Sequence, residues 1–210
     1  LAGSGCVDSF RAAFAEVTEI LTNGSASDRQ QLAHDLRLCT VPEAGPASLQ
    51  MLRDWFQTAI VYYTLGSYPF PSSYMTLGVK DLPPYPMRPV CKALQAGNGT
   101  EDSKAANAPR SLMPGLASAM AIYYNLTGEA HCFDPSTQPR WAAIAPLCGF
   151  VVCREEPSAG SFAADGVNDM FWDQRPQNLS EIQASCKAQW GWSRVADASS
   201  ALDASAVTYL

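Results

Sequence analysis

Residues that could act as nucleophile, acid or base are few in this sequence. Its only two histidines are His34, inside a stretch with helical spacing, and His131, next to Cys132. A Cys/His dyad needs both side chains within hydrogen-bond reach, but adjacent residues point their side chains apart. A serine hydrolase needs its serine on a sharp G-x-S-x-G elbow, and the stretch AGSGC at residues 2 to 6 has Ala2 in place of the first glycine. We therefore predict no catalytic residue within this chain.

Metal, nucleotide and glycosidase chemistry find little support either. The sequence contains no H-E-x-x-H, no paired C-x-x-C and no glycine-rich phosphate loop. A carboxylate pair for glycoside hydrolysis could come from the acidic residues Glu155, Glu156, Asp165, Asp169 and Asp173. Acids clustered in loops are usually solvated, so we predict no metal site and no cofactor.

Length and composition favour one globular domain over residues 1–210. Hydrophobic residues make up 47% and charged residues 16% of the 210 residues, which suits a chain that buries one core. The net charge is −6 without any Lys/Arg cluster, so we predict no nucleic-acid partner. No apolar run approaches the roughly 18 residues of a membrane span, so we predict no membrane partner.

The cysteines favour a secretory-pathway protein. They are scattered without C-x-x-C pairs, which is typical of a disulfide framework, at Cys6, Cys39, Cys91, Cys132, Cys148, Cys153 and Cys186. Four N-x-[ST] sequons predict glycosylation at Asn23, Asn98, Asn125 and Asn178. Together these signals indicate a lysosomal, vacuolar or extracellular location. Because seven is odd, one thiol is left free or is joined to a partner outside the chain.

The apolar spacing predicts an all-α fold with long loops. Apolar residues recur at intervals of three or four, predicting helices at residues 7–21, 27–39, 46–66, 90–94, 112–124 and 179–190. A capping box is expected at Ser27 with Gln30. The proline-rich residues 67 to 89 are expected to form an ordered loop, and residues 95 to 110 read as a linker.

Four local stretches, read together, resemble one protein family. They are SYPFP at residues 67 to 71, YYNLTGEAHC at 123 to 132, GVNDMF at 166 to 171 and CKAQWG at 186 to 191. Their order and spacing resemble the helical cap of the post-proline serine exopeptidases, a family that includes a lysosomal Pro-Xaa carboxypeptidase, a dipeptidyl peptidase and a thymus-specific serine protease. In that family the cap is a disulfide-rich insertion in an α/β-hydrolase domain.

The resemblance implies where the chemistry lies. The family's Ser precedes the cap, and its Asp and His follow it, so the catalytic triad is expected outside this chain. The closing stretch SAVTYL resembles the lead into the strand that carries the family's Asp. The chain alone is then expected to be inactive, with the α/β-hydrolase domain of the same protein as its partner and a proline-containing peptide as substrate.

The resemblance also implies a disulfide pattern: Cys6 with Cys91, Cys39 with Cys132, and Cys148 with Cys186. Cys153 is left over. It matches either a family cysteine that bridges to the hydrolase domain or, without a gap, a methionine in the wall of the proline pocket; a third alternative is an inert buried thiol.

Two stretches are candidate substrate walls. Tyr68 and Phe70 offer rings against which a proline can pack, while the adjacent prolines hold the loop in one conformation; alternatively they cover the end of the third helix. In the second stretch, Met170 and Phe171 are apolar and Asp169 could orient a polar peptide end, or could cap a turn.

A different class of function stays open at this point. The chain could be a secreted binding or scaffold module that keeps the cap fold without a hydrolase around it. A homodimer is a further possible assembly. The sequence does not discriminate a carboxypeptidase from a dipeptidyl peptidase.

Overall fold

A computed structural model describes residues 4–96, 111–137, 145–155, 169–172, 174 and 178–191. Over these residues the fold is all-α, as the sequence predicted, with no strand beyond two isolated bridges. Seven helices follow one another: α1 Ser4–Asn23, α2 Ala26–Asp35, α3 Pro46–Leu65, α4 Met87–Ala96, α5 Met113–Tyr124, α6 Ala145–Glu155 and α7 Leu179–Trp190. A short 3₁₀ turn, Tyr74–Thr76, lies between α3 and α4.

The chain divides into two compact units. The first comprises residues 1–140 with 164–172, and the second comprises residues 141–163 with 173–210. The first unit therefore holds α1 to α5, and the second holds α6 and α7.

The core of the first unit is built where the apolar faces of α1, α3 and α5 meet. Phe14 of α1 lies 5.5 Å from Phe56 of α3, measured between ring centroids. Tyr63 of α3 is fully buried and donates its hydroxyl hydrogen bond to the backbone carbonyl of Ala119 at 2.8 Å. Burial raises the pKa of Tyr63 well above its ordinary value. This bond satisfies a polar group that would otherwise be costly in the core.

Helices α4 and α5 approach so closely that one position requires glycine. A Cβ on Gly115 would lie 2.4 Å from the carbonyl oxygen of Leu94. No side chain fits at that distance, so Gly115 sets the separation of the two helices.

The start of α2 differs from the prediction. The capping box is formed by Ser25 and Asp28, not by Ser27 and Gln30. The Asp28 carboxylate accepts hydrogen bonds from the Ser25 hydroxyl and backbone N–H at 2.7 Å, and the Ser25 Oγ accepts from the Asp28 N–H at 3.2 Å. These hydrogen bonds lower the pKa of Asp28. A carboxylate accepts more strongly than an amide oxygen, which favours the earlier box.

Two other helix boundaries follow simple chemistry. Helix α3 begins at Pro46 and ends before Gly66, as the sequence predicted. Helix α4 begins three residues earlier than predicted and contains Pro89. Proline is tolerated there because the first turn of a helix has no intrahelical partner for its N–H.

Two disulfides staple the first unit. The bond Cys6–Cys91 joins α1 to α4, and Cys39–Cys132 joins the segment after α2 to the segment after α5. Next to the second bond, the N–H of Cys39 donates to the carbonyl of Phe133 at 2.8 Å, and the N–H of Phe133 donates to the carbonyl of Arg37 at 2.7 Å. Both pairings are those implied by the family resemblance.

The third disulfide corrects the implied pattern. Cys186 of α7 is bonded to Cys153 of α6, not to Cys148, with Cα atoms 5.6 Å apart. The two cysteines of α6 are five residues apart, which places them about 140° apart around a helix with 3.6 residues per turn. One face of α6 therefore cannot present both to Cys186. The bond also contradicts two of the alternatives for Cys153, a bridge to another domain and an inert buried thiol.

Two features of the described residues concern membrane and metal partners. None of the helices is both long and apolar enough to cross a membrane. Within the same part of the chain, no group of three His, Cys, Asp or Glu side chains could hold a metal ion.

Candidate functional site

The loop between α3 and α4 presents a stacked aromatic pair. The rings of Tyr68 and Phe70 are 5.5 Å apart and 12° from parallel. Phe70 is 57% exposed, so it does not serve to bury the end of α3. The Tyr68 carbonyl accepts a hydrogen bond from the N–H of Tyr85 at 2.8 Å, which holds the base of the pair.

The second predicted wall, residues 169–172, packs on α1. The Arg11 guanidinium donates two hydrogen bonds to the backbone carbonyl of Asp169, one of them at 2.9 Å from Nε. The Asp169 carboxylate accepts the N–H of Phe171 at 2.9 Å, so this side chain caps its own turn. The ring of Phe171 lies 6.3 Å from Phe14 and 10° from parallel, and Trp172 meets Phe14 edge-on at 5.3 Å. A single ring of α1 therefore orients both aromatics.

These contacts leave a groove of about 420 Å³, here called the α1 groove. Its apolar lining comes from Phe14, Met170, Phe171 and Trp172, and its charges from Arg11 and Glu19. Apolar pockets with a few convergent polar groups of this size are the usual form of small-ligand sites. The Glu19 carboxylate accepts from Asn23 Nδ2 at 3.1 Å and keeps further lone pairs.

A second arginine contacts two residues that line the α1 groove, Trp172 and Thr18. The Arg53 guanidinium of α3 lies 5.3 Å from the ring centroid of Trp172. It also donates a long hydrogen bond of 3.4 Å to the Thr18 hydroxyl. Partial burial lowers the pKa of Arg53 from its ordinary value. The cation fixes the Trp172 ring, which sequence reasoning had not included in the wall.

The two predicted walls lie at different levels of α3. Trp172 is held beside Arg53, whereas Tyr68 follows the end of α3 at Leu65. Twelve residues of helix separate these levels, or about 18 Å along the axis. Neither Tyr68 nor Phe70 lines the α1 groove. The structure thus brings Asp169, Met170 and Phe171 together on α1 and keeps the Tyr68–Phe70 pair as a separate surface.

Sequence reasoning missed a second groove, of about 520 Å³, beside α3. Trp55 and Tyr124 stack at 4.8 Å in its wall, and the Tyr124 hydroxyl donates to the Trp55 carbonyl at 2.7 Å. Burial raises the pKa of Tyr124 well above its ordinary value. Asp54 lines the groove and accepts from Gln50 at 2.7 Å. In the sequence, Trp55 lies within a helical pattern, which is also what a core residue shows. The sequence therefore carried no sign that Trp55 lines a groove.

Cys153 belongs to the second unit. Its disulfide to Cys186 joins α6 to α7. In the same two helices, the rings of Phe150 and Trp190 meet edge-on with their centroids 5.4 Å apart. The sulfur of Cys153 thus has a structural role in this unit.

The two histidines have different surroundings. His34 Nδ1 lies 3.1 Å from the Asp35 carboxylate, but 83% of its side chain is exposed. His131 adjoins Cys132, whose sulfur is bonded to Cys39. A Cys/His dyad at this position is excluded because that thiol is consumed.

The sequons have different surroundings. Asn23 is exposed at the end of α1, and Asn178 is exposed where it caps α7 by accepting from the Ser180 N–H at 3.0 Å. Asn125 is half-buried, with its amide oxygen accepting the Ala130 N–H at 2.9 Å. Asn98 lies outside the described residues. Glycosylation at these positions stays a prediction.

Comparison with known proteins supplies the context for these surfaces. No protein-family profile matches the chain. Among curated proteins, it is 26% identical over 190 residues to lysosomal Pro-X carboxypeptidase from Bos taurus, covering 90% of this chain and 34% of that protein. The chain is similar to lysosomal Pro-X carboxypeptidases. The human enzyme matches at 25% identity over 189 residues, and the mouse enzyme at 25% over 193 residues.

The lengths of these relatives matter as much as the identity. The chain spans about a third of the length of each lysosomal Pro-X carboxypeptidase that it matches. The similarity covers one part of each larger relative. This chain is therefore related to a part of those enzymes.

Proposed function

We propose that this chain is the substrate-gating and specificity cap of a serine exopeptidase that cleaves peptides next to proline. One observation carries the proposal: 90% of the chain is similar to a segment that makes up about a third of lysosomal Pro-X carboxypeptidases. Because the sequence predicts no catalytic residue within this chain, the proposal assigns the chemistry to the α/β-hydrolase domain of the same protein.

The cap's part in the reaction is binding and orientation. An aromatic ring offers a flat apolar face to a pyrrolidine ring, and the Tyr68–Phe70 pair presents such a face on a fixed loop. A wall that is rigid before substrate arrives loses little conformational entropy on binding. The binding energy then contributes to orienting the scissile bond, provided that these contacts tighten in the transition state.

The α1 groove is the candidate site for the rest of the peptide. Met170 and Phe171 supply apolar surface, and Glu19 can pair with an amine. Arg11 already pairs with Asp8 through Nη1 at 3.2 Å, and its remaining N–H groups can bind a substrate carboxylate. A carboxypeptidase would use the arginine, and a dipeptidyl peptidase would use the glutamate. Both charges line one groove. Whether the carboxyl end or the amino end of the peptide occupies it therefore decides between a carboxypeptidase and a dipeptidyl peptidase.

The compartment follows from the same chemistry. Three disulfides form in the oxidising secretory route. We assign the protein to that route, with a lysosomal, vacuolar or extracellular destination and with glycans at the sequons.

The test combines the protein's complete coding sequence with two fluorogenic peptides. One peptide has a blocked amino end and a free carboxylate after Pro-Xaa, and the other has a free amino end before Xaa-Pro. We expect a G-x-S-x-G elbow before this chain, an Asp and a His after it, and hydrolysis of one peptide by the intact protein at mildly acid pH. The isolated chain, shown to be folded by its melting curve, should hydrolyse neither. Turnover by the chain alone, or a coding sequence that ends with it, would contradict the proposal and favour a scaffold module.

A further inference from the structure

The loop between α3 and α4 exposes an unusual amount of apolar surface. Five large hydrophobic residues of the loop are exposed, together with Leu65 at the end of α3: Phe70, Tyr74, Leu77, Val79 and Tyr85. In the described part of the first unit, Val41 is the one exposed large hydrophobic outside residues 65–85. Between residues 65 and 85 only Lys80 and Asp81 are charged. A solvent-exposed surface usually carries more charged residues.

The exposed side chains are held outward by an ordered backbone. Ser72 and Leu82 exchange two backbone hydrogen bonds, at 2.9 and 3.2 Å, which close the loop. The buried Thr76 hydroxyl contacts the carbonyls of Ser73, at 3.0 Å, and Lys80. Leu82 is buried, as is Met75, so the loop already has its own apolar anchors. The outward residues are therefore not needed to fold it.

Backbone conformation adds an independent signal. Leu77 has a φ of 54° and Tyr85 has a φ of 48°, both in the left-handed region that large side chains avoid. They are two of the three non-glycine residues with positive φ in the described part of the chain. Leu77 is exposed, so burial does not stabilise its conformation within this chain, whereas the ring of Tyr85 has the Arg88 guanidinium 4.2 Å from its centroid. Such outliers persist at sites where the outward side chain has a use.

We propose that the surface formed by Leu65, Tyr74, Leu77, Val79 and Tyr85, here called the docking surface, packs against the hydrolase domain of the intact protein. The proposal rests on the proposed function for its occupant, because the relatives carry about two thirds of their length beyond the segment that this chain matches. Five partly exposed side chains of this size offer roughly 400 Å², about one side of a small inter-domain interface. Phe70 lies on the same loop, which places the Tyr68–Phe70 pair at the seam where substrate would enter.

The test is residue-resolved hydroxyl-radical footprinting of the intact protein, with each rate divided by that of the unfolded protein. Val41 is 51% exposed, while Leu77 and Val79 are 44% and 41% exposed, so the three should label alike if nothing covers the loop. We expect Leu77 and Val79 to label about fivefold less than Val41, because interface cores exclude water. Equal labelling would overturn the proposal.

A variant and a dilution series sharpen the result. Asparagine adopts the left-handed conformation readily, so Leu77→Asn should fold while weakening the contact and restoring labelling at Val79. The control Val41→Asn should leave Val79 protected. Protection that disappears at a concentration where sedimentation shows only monomer would mean that a second copy covers the loop, and would overturn the proposal.

The same sample is assayed with the two post-proline peptides. Protection without hydrolysis would refute the proposed function and leave the docking surface in place. Hydrolysis with unprotected Leu77 and Val79 would refute the docking surface and leave the proposed function in place.

Discussion

Removing the Cys153–Cys186 bond should destabilise the second unit by an amount set by the loop that it closes. The double substitution Cys153→Ser with Cys186→Ser deletes the bond without leaving a lone thiol at either end. The cysteines are 33 residues apart, for which the chain-entropy relation gives about 3.7 kcal/mol at 25 °C. Loss of the packing around Phe150 and Trp190 would add to this cost.

The matched control is Cys148→Ser, five residues earlier in the same helix. Because the structure bonds Cys186 to Cys153, this change removes no disulfide and should lower the free energy of unfolding by less than the double substitution does.

The assay is urea unfolding followed by circular dichroism, with nonreducing peptide mapping of the wild-type chain. We expect a lower urea midpoint for the double variant, a smaller decrease for Cys148→Ser and a mapped peptide joining Cys153 to Cys186. A map that joins Cys148 to Cys186, or a Cys148→Ser variant destabilised as much as the double variant, would refute the reasoning and restore the pairing implied by the family.

Two further predictions concern packing and pH. Gly115→Ala should destabilise the chain by about 1 to 3 kcal/mol by overpacking against Leu94. Gly149→Ala, whose Cβ would meet nothing closer than Trp190 at 4.0 Å, should stabilise α6 by up to about 1 kcal/mol; equal melting shifts for the two would contradict this account. The pKa of Asp28 is lowered in the folded chain, so its contribution is complete above the unfolded value near 3.8 and is lost as pH falls through the folded pKa. The difference in urea midpoint between wild type and Asp28→Asn should therefore shrink below about pH 4, and a difference that is constant with pH would argue against the capping box.

Local sequence signals predicted the helices that carry them. Helix α3 begins with Pro46 and ends directly before Gly66, and α1 shows apolar steps of three and four residues. Helix α6 was not predicted, because its sequence APLCGFVVCRE has no polar face and contains Gly149. Its packing against α7 is a contact between distant residues, which a local sequence pattern does not predict.

The candidate site was harder to predict because its contacts are distant in sequence. The sequence identified the motif around Met170 and Phe171 as a candidate wall. It did not predict that this motif packs on Arg11 and Phe14, because those contacts join residues nearly 160 positions apart. No spacing rule links such positions. The groove beside Trp55 was missed for the same reason, since its wall needs Tyr124 from another helix.

The central claim is that this chain specifies proline, and one kinetic ratio tests it directly. In the intact protein, kcat/KM is measured for a proline peptide and its alanine counterpart, in wild type and in the variants Phe70→Ala, Met170→Ala and Val41→Ala. Loss of one apolar wall contact should lower the proline-to-alanine ratio about 3- to 10-fold in the first two variants, a fraction of what a pocket can discriminate. Val41→Ala should leave it unchanged, and all three should keep the wild-type melting temperature. A ratio unchanged in both wall variants would contradict the claim that these surfaces specify proline.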